Sequence, residues 1–296
     1  MDAFGATLLI GFSALLGLNQ ALVKVVNEGI APLFQAGLRS VFAFAPVLLW
    51  AWWRGRKLSL VDGSLPWGTL NGLLFCLEFG LLFLALDYTT VARASLFFYI
   101  MPVWVAIGAH FLVPGESLNT FKTCGLGLAI LGVAIAFSGD LGAAPPDAWI
   151  GDLLALVAGV FWAGIALLTR LKLASVSAEM NLLYQLGVSA VLLTGAGILL
   201  GETWREPTAL ILGVFSFQII FVVAIGFLVW FWILSIYPVS NMASFGLLAP
   251  IFGVLFGWII FSDPITLTFF IALGCAGAGI VLVNKIPNNA SSGDSS

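Results

Sequence analysis

One carboxylate stands in the middle of a long apolar run. Glu78 lies in the sequence LLFCLEFGLLF, inside an apolar run that covers residues 66–88. An acid at the centre of a bilayer costs about 2.5–3.5 kcal/mol or more, so such residues face a cavity, a partner or a bound cation. Glu78 is therefore a candidate for binding an ammonium group or a coupling proton. A structural ion pair that holds two helices together explains the same residue equally well.

Arg39 is a cation deep inside a second apolar run, residues 32–53. In a helix that rises about 1.5 Å per residue, Glu78 lies roughly 18 Å from the start of its run. Arg39 lies roughly 10 Å from the start of its own, which begins at the opposite membrane face. Across a membrane core of about 30 Å the two residues are nearly level. The sequence predicts a Glu78–Arg39 pair, either static or broken during a functional cycle.

An aromatic residue and a methionine stand beside a proline in the apolar run 91–113. Tyr99 precedes Pro102 by one turn, and Met101 lies between them. Pro102 has no amide hydrogen and frees a carbonyl one turn earlier, which a cavity, water or an ammonium group can satisfy. Tyr99 and Met101 are therefore predicted to line a cavity at a kink. Trp162, in the run 149–171, is a second aromatic candidate, although packing explains a lone tryptophan equally well.

Two adjacent amides, Asn19 and Gln20, interrupt the first apolar run, residues 4–26. At least one of them should face protein, because an amide exposed to lipid has no hydrogen-bond partner. The corresponding positions half a chain later, 161–163, are aromatic or apolar. The sequence thus predicts a cavity with one polar wall and one aromatic wall.

The composition indicates a protein that crosses a membrane many times. Of its 296 residues, 61% are hydrophobic and 8% are charged, with a mean hydropathy of +1.12, whereas soluble domains are roughly a quarter charged. Apolar runs of about 20 residues indicate helices, since barrel strands are shorter and alternate. The sequence predicts an all-α membrane protein with ten transmembrane helices at about 4–26, 32–53, 66–88, 91–113, 119–138, 149–171, 178–200, 210–236, 240–261 and 267–285.

The chain contains an internal repeat. Residues 86–111 and 236–261 each have a tyrosine at the entry, an Ala-Ser pair and a central proline, Pro102 or Pro250. Five helices per copy is an odd number, so the second copy crosses the membrane in the opposite sense, around a central cavity with the two prolines and Arg39 as gating elements. The predicted organisation is a first repeat, a linker, a second repeat and a disordered tail, at residues 1–138, 139–148, 149–287 and 288–296.

Charges in the loops predict the orientation and exclude several functions. Placing the N-terminus in the cytoplasm puts seven basic residues inside and three outside, so both termini are predicted to be cytoplasmic. A net charge of −3 with no basic patch argues against nucleic acid. With one histidine, no HExxH, no GxSxG and no P-loop, neither an enzyme nor ATP-driven transport is expected, and the three cysteines indicate no metal or cofactor.

The ordered motifs resemble the drug/metabolite transporter superfamily, in its ten-helix EamA-type branch. They are a first span that ends in Lys24, a stretch from Gln35 to Arg39, the Ala-Ser to Pro102 run, and an acid before a glycine-rich helix. Glu78, Tyr99, Pro102 and Trp162 look most like the YddG-type bacterial exporters of aromatic amino acids. The resemblance implies a basket-like bundle in the bacterial inner membrane that exports aromatic and other apolar amino acids. Leu77 and Met101 replace aromatic residues of some relatives, which relaxes that preference.

Several alternatives remain open at the sequence level. An exporter of drugs or other small metabolites of the same superfamily would share these motifs. A nonenzymatic membrane interaction protein is a further alternative, but it would not explain two kinked copies with polar groups at mid-depth. A nucleotide-sugar exchanger would need more cavity cations than Arg39. The glycine pairs Gly68/Gly72 and Gly253/Gly257 suit close helix packing, within a monomer or at a homodimer face.

Overall fold

The structure is a computed structural model that describes residues 3–56, 58–114, 116, 118–138, 145–226, 229 and 248–284. Six helical spans are long and apolar enough to cross a membrane, and four more are shorter and apolar. The helices are α1 (Ala3–Asn27), α2 (Pro32–Trp53), α3 (Leu65–Tyr88), α4 (Val91–Phe98), α5 (Met101–Leu112), α6 (Thr120–Ser138), α7 (Ala148–Lys172), α8 (Ala178–Leu199), α9 (Ala209–Phe217), a π-helical segment (Gln218–Ile225), α10 (Leu248–Phe261) and α11 (Leu267–Asn284).

The predicted all-α fold with ten spans is confirmed, and the boundaries lie close to the predicted ones. Helix starts follow local chemistry. The hydroxyls of Thr90, Ser177 and Thr208 accept hydrogen bonds from amides in the first turns of α4, α8 and α9. Pro32 occupies the first turn of α2, where a missing amide hydrogen costs nothing. Residues 139–144 of the predicted linker and the whole predicted tail, residues 288–296, lie outside the described residues.

Span four and span eight depart from single continuous helices. Residues 91–113 form two helices, α4 and α5, separated by a turn at Tyr99 and Ile100. Span eight begins as α9 and continues as the π-helical segment, which the sequence did not indicate. Most of the remainder of that predicted span, and the start of span nine, lie outside the described residues.

The two halves of the chain pack through equivalent helices. Helix α2 packs on α8, and α6 packs on α11, which are the corresponding spans of the two halves. The α4–α5 span packs on α7, and its counterpart α10 packs on α1. This reciprocal pattern is that of a pseudo-twofold axis, the arrangement expected of inverted repeats. We call the side with residues 27–32 the α1–α2 end and the side with residues 53–65 the α2–α3 end.

Small residues allow the α6–α11 contact. A Cβ added at Gly132 would lie 2.7 Å from the Ala272 carbonyl oxygen, and one at Gly279 would lie 2.6 Å from that of Gly125. Such close backbone approach is how membrane helices associate without a hydrophobic driving force. Gly127, by contrast, faces open space on the outer side of α6.

The two glycine pairs proposed from sequence serve contacts within this chain. Gly68 and Gly72 lie against Tyr184 of α8, where an added Cβ would come within 2.3 Å and 2.6 Å of it. Gly253 and Gly257 lie in the same way against Ser95 and Asp263. These glycines are therefore occupied by helices of one subunit, and a homodimer, if formed, would use another surface.

Candidate substrate site

The turn between α4 and α5 places an aromatic side chain in the bundle. Because Pro102 cannot donate a hydrogen bond, the helix does not continue through this point, and the Val103 amide bonds to the Ile100 carbonyl at 2.9 Å instead. Gly159 of α7 comes so close that an added Cβ would lie 2.9 Å from the Phe98 carbonyl oxygen. The break therefore faces α7.

Three aromatic rings meet beside this turn. The Trp162 ring of α7 stacks on Phe98, with ring centroids 4.8 Å apart and planes at 12°. It also meets Tyr99 edge to face at 5.8 Å, and Tyr99 meets Phe98 at 5.3 Å. We call these three residues the aromatic cluster. The structure thus brings together Tyr99 and Trp162, the two aromatic candidates, and adds Phe98, which the sequence analysis did not single out.

Glu78 is level with this cluster. In the antiparallel α3–α7 pair, Leu74 lies against Gly164, and Ala85 lies against Gly151. Interpolating this register places Glu78 opposite Gly159 of α7, which contacts Phe98 and lies one turn before Trp162. The Glu78 side chain is 4% exposed and interacts electrostatically with Tyr99. Within the described residues it forms neither a hydrogen bond nor an ion pair.

Arg39 and Glu78 form no ion pair in this structure, so the static pair predicted from sequence is wrong, and a pair that forms and breaks during a functional cycle stays a prediction. The Arg39 guanidinium lies over the rings of Phe83 at 5.0 Å and Phe79 at 6.0 Å. Phe79 and Phe83 are one turn apart on one face of α3, whereas Glu78 lies about 100° around the helix from Phe79. Depth alone, which the prediction used, does not decide which face of a helix a side chain occupies.

A small cavity adjoins Arg39. It lies between α2, α3, α8 and the π-helical segment and has a volume of about 20 Å³, which is roughly the space of one water molecule. Phe75 and Phe79 form its α3 side, with Leu186 opposite. Among the described residues this cavity accommodates a single small group and not a whole amino acid.

The two amides of α1 do not form one polar wall. The Gln20 oxygen accepts a hydrogen bond from the Ser95 hydroxyl in the tight contact between α1, α4 and α10. Asn19 instead lies beside Gln218, whose amide nitrogen is 3.4 Å from the Asn19 Oδ1. Gln20 therefore has a structural partner, and Asn19 belongs to a network that the sequence analysis missed.

Buried amides form two reciprocal pairs across the halves. The Asn71 amide of α3 donates to the Asn181 oxygen of α8 at 2.7 Å. The Gln35 amide of α2 donates to the Gln218 oxygen at 3.3 Å, at the start of the π-helical segment. An offset of 146 to 147 residues converts one pair into the other, so they are related by the pseudo-twofold axis. The Asn71–Asn181 pair is nearer the α2–α3 end, and the Gln35–Gln218 pair is nearer the α1–α2 end.

The remaining predicted residues occupy different places. Met101 begins α5 and is partly buried beside the turn. Pro250 is buried in the first turn of α10. The repeat motif that precedes it, residues 236–247, lies outside the described residues, and the kink predicted there stays a prediction.

Two aspartates connect helices at the α1–α2 end. Arg93 of α4 binds both oxygens of Asp152 of α7, with Nε 3.1 Å from each. The Asp263 carboxylate accepts a hydrogen bond from the Ala92 amide at 3.1 Å and so caps the start of α4. Burial raises the pKa of Asp263, against the lowering effects of the Ala92 amide and of the Lys24 charge. These contacts tie the ends of α1, α4, α7 and α10 together.

The fold is that of a multi-pass membrane protein, and the family match identifies the class of protein. The sequence model of the EamA-like transporter family matches residues 3–138 and again residues 149–285. The chain therefore belongs to the EamA-like transporter family, and family and relatives alike indicate a transporter, not an enzyme. The finer resemblance to the aromatic amino acid exporters stays a prediction.

Relatives of similar length share this assignment. Uncharacterized transporter YoaV of Bacillus subtilis (strain 168) is 25% identical over 91% of this chain and 93% of its own. Uncharacterized transporter YvbV of the same organism is 28% identical over 94% and 90%, and an uncharacterized transporter of Archaeoglobus fulgidus is 27% identical over 85% and 86%. One solved crystal structure has a TM-score of 0.65 at 22% identity over 95% of this chain and 96% of its own, which shows the fold alone.

Proposed function

We propose that this protein is an alternating-access carrier that exports amino acids, aromatic and other large apolar ones in particular. The observation that carries the proposal is the aromatic cluster of Phe98, Tyr99 and Trp162 at the α4–α5 turn. Aromatic rings offer stacking and edge-to-face contacts worth about 0.5–1.5 kcal/mol per pair beyond the area they bury. A cluster at the break of a span, where backbone carbonyls are also free, suits an apolar side chain next to a polar group.

Glu78 supplies the charge that such a substrate needs. It is buried, level with the part of α7 that contacts Phe98, and without a cationic partner in the part of the chain that the structure describes. A carboxylate in this position binds a substrate ammonium group or a coupling proton. In this proposal Tyr99 and Trp162 contact the substrate side chain, and Glu78 contacts its ammonium group.

The reciprocal amide pairs support alternating access. One pair joins the halves near the α2–α3 end and the other joins them near the α1–α2 end. Opening a path to either side of the membrane would break one pair and keep the other. The turn at Tyr99–Ile100 and the π-helical segment are interruptions at which the halves can bend.

The proposed orientation in the membrane follows from charge. Arg54, Arg56, Arg170 and Lys172 all lie at the α2–α3 end, which the positive-inside rule places in the cytoplasm. Both termini are then cytoplasmic, and the membrane is proposed to be the inner membrane of a bacterium. Export removes substrate from this side.

Counterflow in proteoliposomes tests the proposal. Purified protein is reconstituted, and uptake of labelled phenylalanine, methionine and threonine is measured against a panel of unlabelled metabolites and drugs. We expect uptake to follow the order phenylalanine, methionine, threonine. Trp162→Ala and Tyr99→Ala should each lower phenylalanine uptake roughly tenfold, since each removes an aromatic contact and its buried area.

Matched substitutions separate the site from general damage. Trp149→Ala removes a half-exposed tryptophan from the same helix, α7, and Tyr88→Ala removes an exposed tyrosine from α3. Both controls should leave uptake unchanged. Glu78→Gln should abolish the pH dependence of uptake if the residue carries the proton. Transport of drugs but of no amino acid would refute the substrate assignment and leave only the family.

A further inference from the structure

Arg39 is a buried cation that lies over aromatic rings and keeps N–H groups unpaired. It is 8% exposed, and its Nε and Nη1 atoms have no hydrogen-bond partner among the described residues. The guanidinium lies over the rings of Phe79 and Phe83, which leaves its coplanar N–H groups to bind a ligand at the edge. This edge borders the cavity of about 20 Å³.

No carboxylate of the described residues borders this cavity. Of the side chains that border the cavity, Ser40 is the other polar one, and its hydroxyl already donates to the Ala36 carbonyl and accepts from Ser189. The chain that continues the π-helical segment, residues 227–247, contains no aspartate or glutamate. A water molecule could accept a hydrogen bond from Arg39 but would leave the charge uncompensated, and an unpaired buried charge is strongly unfavourable.

We propose that the Arg39 cavity is the subsite that binds the carboxylate of the transported molecule. This inference rests on the proposed function, in which the substrate is an amino acid. That function needs a cationic partner for the substrate, because Gln20 is bound to Ser95 and Asn19 lies beside Gln218. Arg39 is such a cation, because its charge is not compensated by an anion of the described residues.

The geometry fits a carboxylate in particular. A guanidinium presents two parallel N–H donors that match the two oxygens of a carboxylate. The cavity holds one small group, so the anionic end of a ligand enters it while the rest extends outward. Phe79 borders the cavity and directly follows Glu78 on α3, so a zwitterion that extends around this turn of α3 would place its carboxylate at Arg39 and its ammonium group towards Glu78.

A binding measurement that does not depend on transport tests the subsite. The thermal unfolding midpoint of the full-length protein in detergent is followed by tryptophan fluorescence, in sodium gluconate buffer, on addition of acetate, chloride, phenylalanine or phenylalaninamide. Phenylalaninamide keeps the ring and the ammonium group but lacks the carboxylate. The variants are Arg39→Met and Arg39→Gln, and Arg205→Gln removes a surface cation as the control.

We expect phenylalanine to raise the midpoint of the wild type and of Arg205→Gln. Both Arg39 variants should bind phenylalanine at least tenfold more weakly, and all four proteins should respond alike to phenylalaninamide. In gluconate without added ligand, Arg39→Met should unfold at a temperature no lower than the wild type, because it removes an unpaired buried charge. Arg39→Gln, neutral but polar, serves if the methionine variant does not fold.

The remaining outcomes separate this inference from the proposed function. If acetate and chloride stabilise the wild type but not the Arg39 variants, and phenylalanine has no effect, the anion subsite stands with an inorganic ion as occupant and the amino acid proposal fails. If phenylalanine binds equally well to the wild type and the variants, the amino acid proposal stands and the Arg39 subsite is refuted. If no anion distinguishes the wild type from the variants, the subsite is refuted as well.

Discussion

Buried charges in this protein fall into two kinds, and the difference sets what each one does. Asp152 is fully buried, yet its carboxylate is satisfied by Arg93 and by the Thr89 hydroxyl at 2.8 Å. Such a group holds α4 to α7 and has no capacity left for a ligand. Arg39 and Glu78 are buried without such partners within the described residues, so their charges remain available to a transported molecule.

The Arg93–Asp152 pair should be much more important for stability than the exposed pairs. Asp152→Ala leaves the Arg93 guanidinium, 11% exposed, without its partner, so we expect a loss of about 3–5 kcal/mol in the free energy of unfolding. Asp87→Ala breaks the more exposed pair with Arg205 and should cost at most about 1 kcal/mol. Equilibrium denaturation in detergent micelles measures both, and equal losses would contradict the assignment of Asp152 as a buried structural anchor.

At the scale of elements, the contacts between helices depend on where small residues lie. Helices α6 and α11 are apolar all round, so hydrophobicity alone gives neither of them a preferred face. The face of α6 with Gly125 and Gly132 allows the closest backbone approach, and α11 packs there. Van der Waals contact therefore selects the face, as is usual for helices in lipid.

Two glycines of α6 should respond oppositely to the same substitution. Gly132→Ala places a Cβ 2.7 Å from the Ala272 carbonyl oxygen, so the helices must separate, at a cost of about 1–3 kcal/mol in the free energy of unfolding. Gly127→Ala meets nothing within 4 Å and should be neutral or stabilise by up to about 1 kcal/mol, because alanine favours helix over glycine. A destabilised Gly127→Ala protein with an unaffected Gly132→Ala protein would show that the helix faces are assigned wrongly. The same denaturation measurement decides this.

At the scale of the whole molecule, the pseudo-twofold symmetry places an equivalent pair of hydrogen-bonded amides near each end of the bundle. The Asn71–Asn181 pair and the Gln35–Gln218 pair are equivalent hydrogen bonds between side-chain amides, made by two asparagines in the first pair and by two glutamines in the second. Since each joins the two halves near one end of the bundle, their relative strengths should set which end opens more often. The equilibrium between the two open states shifts only if an interaction stabilises one of these states more than the other.

Substitutions in the two amide pairs should shift access in opposite directions. Asn71→Leu should raise access from the α2–α3 end, and Gln35→Leu should raise access from the α1–α2 end, each by several-fold. The measurement is labelling of Ser40→Cys, which borders the Arg39 cavity, by a membrane-impermeant maleimide applied from either side of the membrane. The background has Cys76, Cys124 and Cys275 replaced. The double variant Asn71→Leu/Gln35→Leu should return towards the wild-type balance. Shifts of both single variants in one direction would refute a reciprocal role.

The amino-acid sequence by itself determined the class of fold. Lipid offers no hydrogen-bond partners, so a backbone that crosses it must form its hydrogen bonds within its own helix. Each apolar run of about 20 residues was therefore predicted as a helix, and the ten runs predicted ten spans. The repeat around Pro102 and Pro250 likewise indicated two equivalent halves, and Pro102 indicated the break beside Tyr99. These features are local or periodic, which is why they can be read along the chain.

The tertiary structure alone decided which side chains meet. The pairing of Tyr99 with Trp162, the inclusion of Phe98, and the separation of Arg39 from Glu78 depend on helix rotation, which an almost uniformly apolar sequence does not encode as a pattern. The same is true of the amide pairs, whose members are 110 and 183 residues apart. Nearly every helix face in this chain is apolar, so the few polar and small residues determine how each helix is rotated about its axis. Their contacts form only when all the spans have packed together.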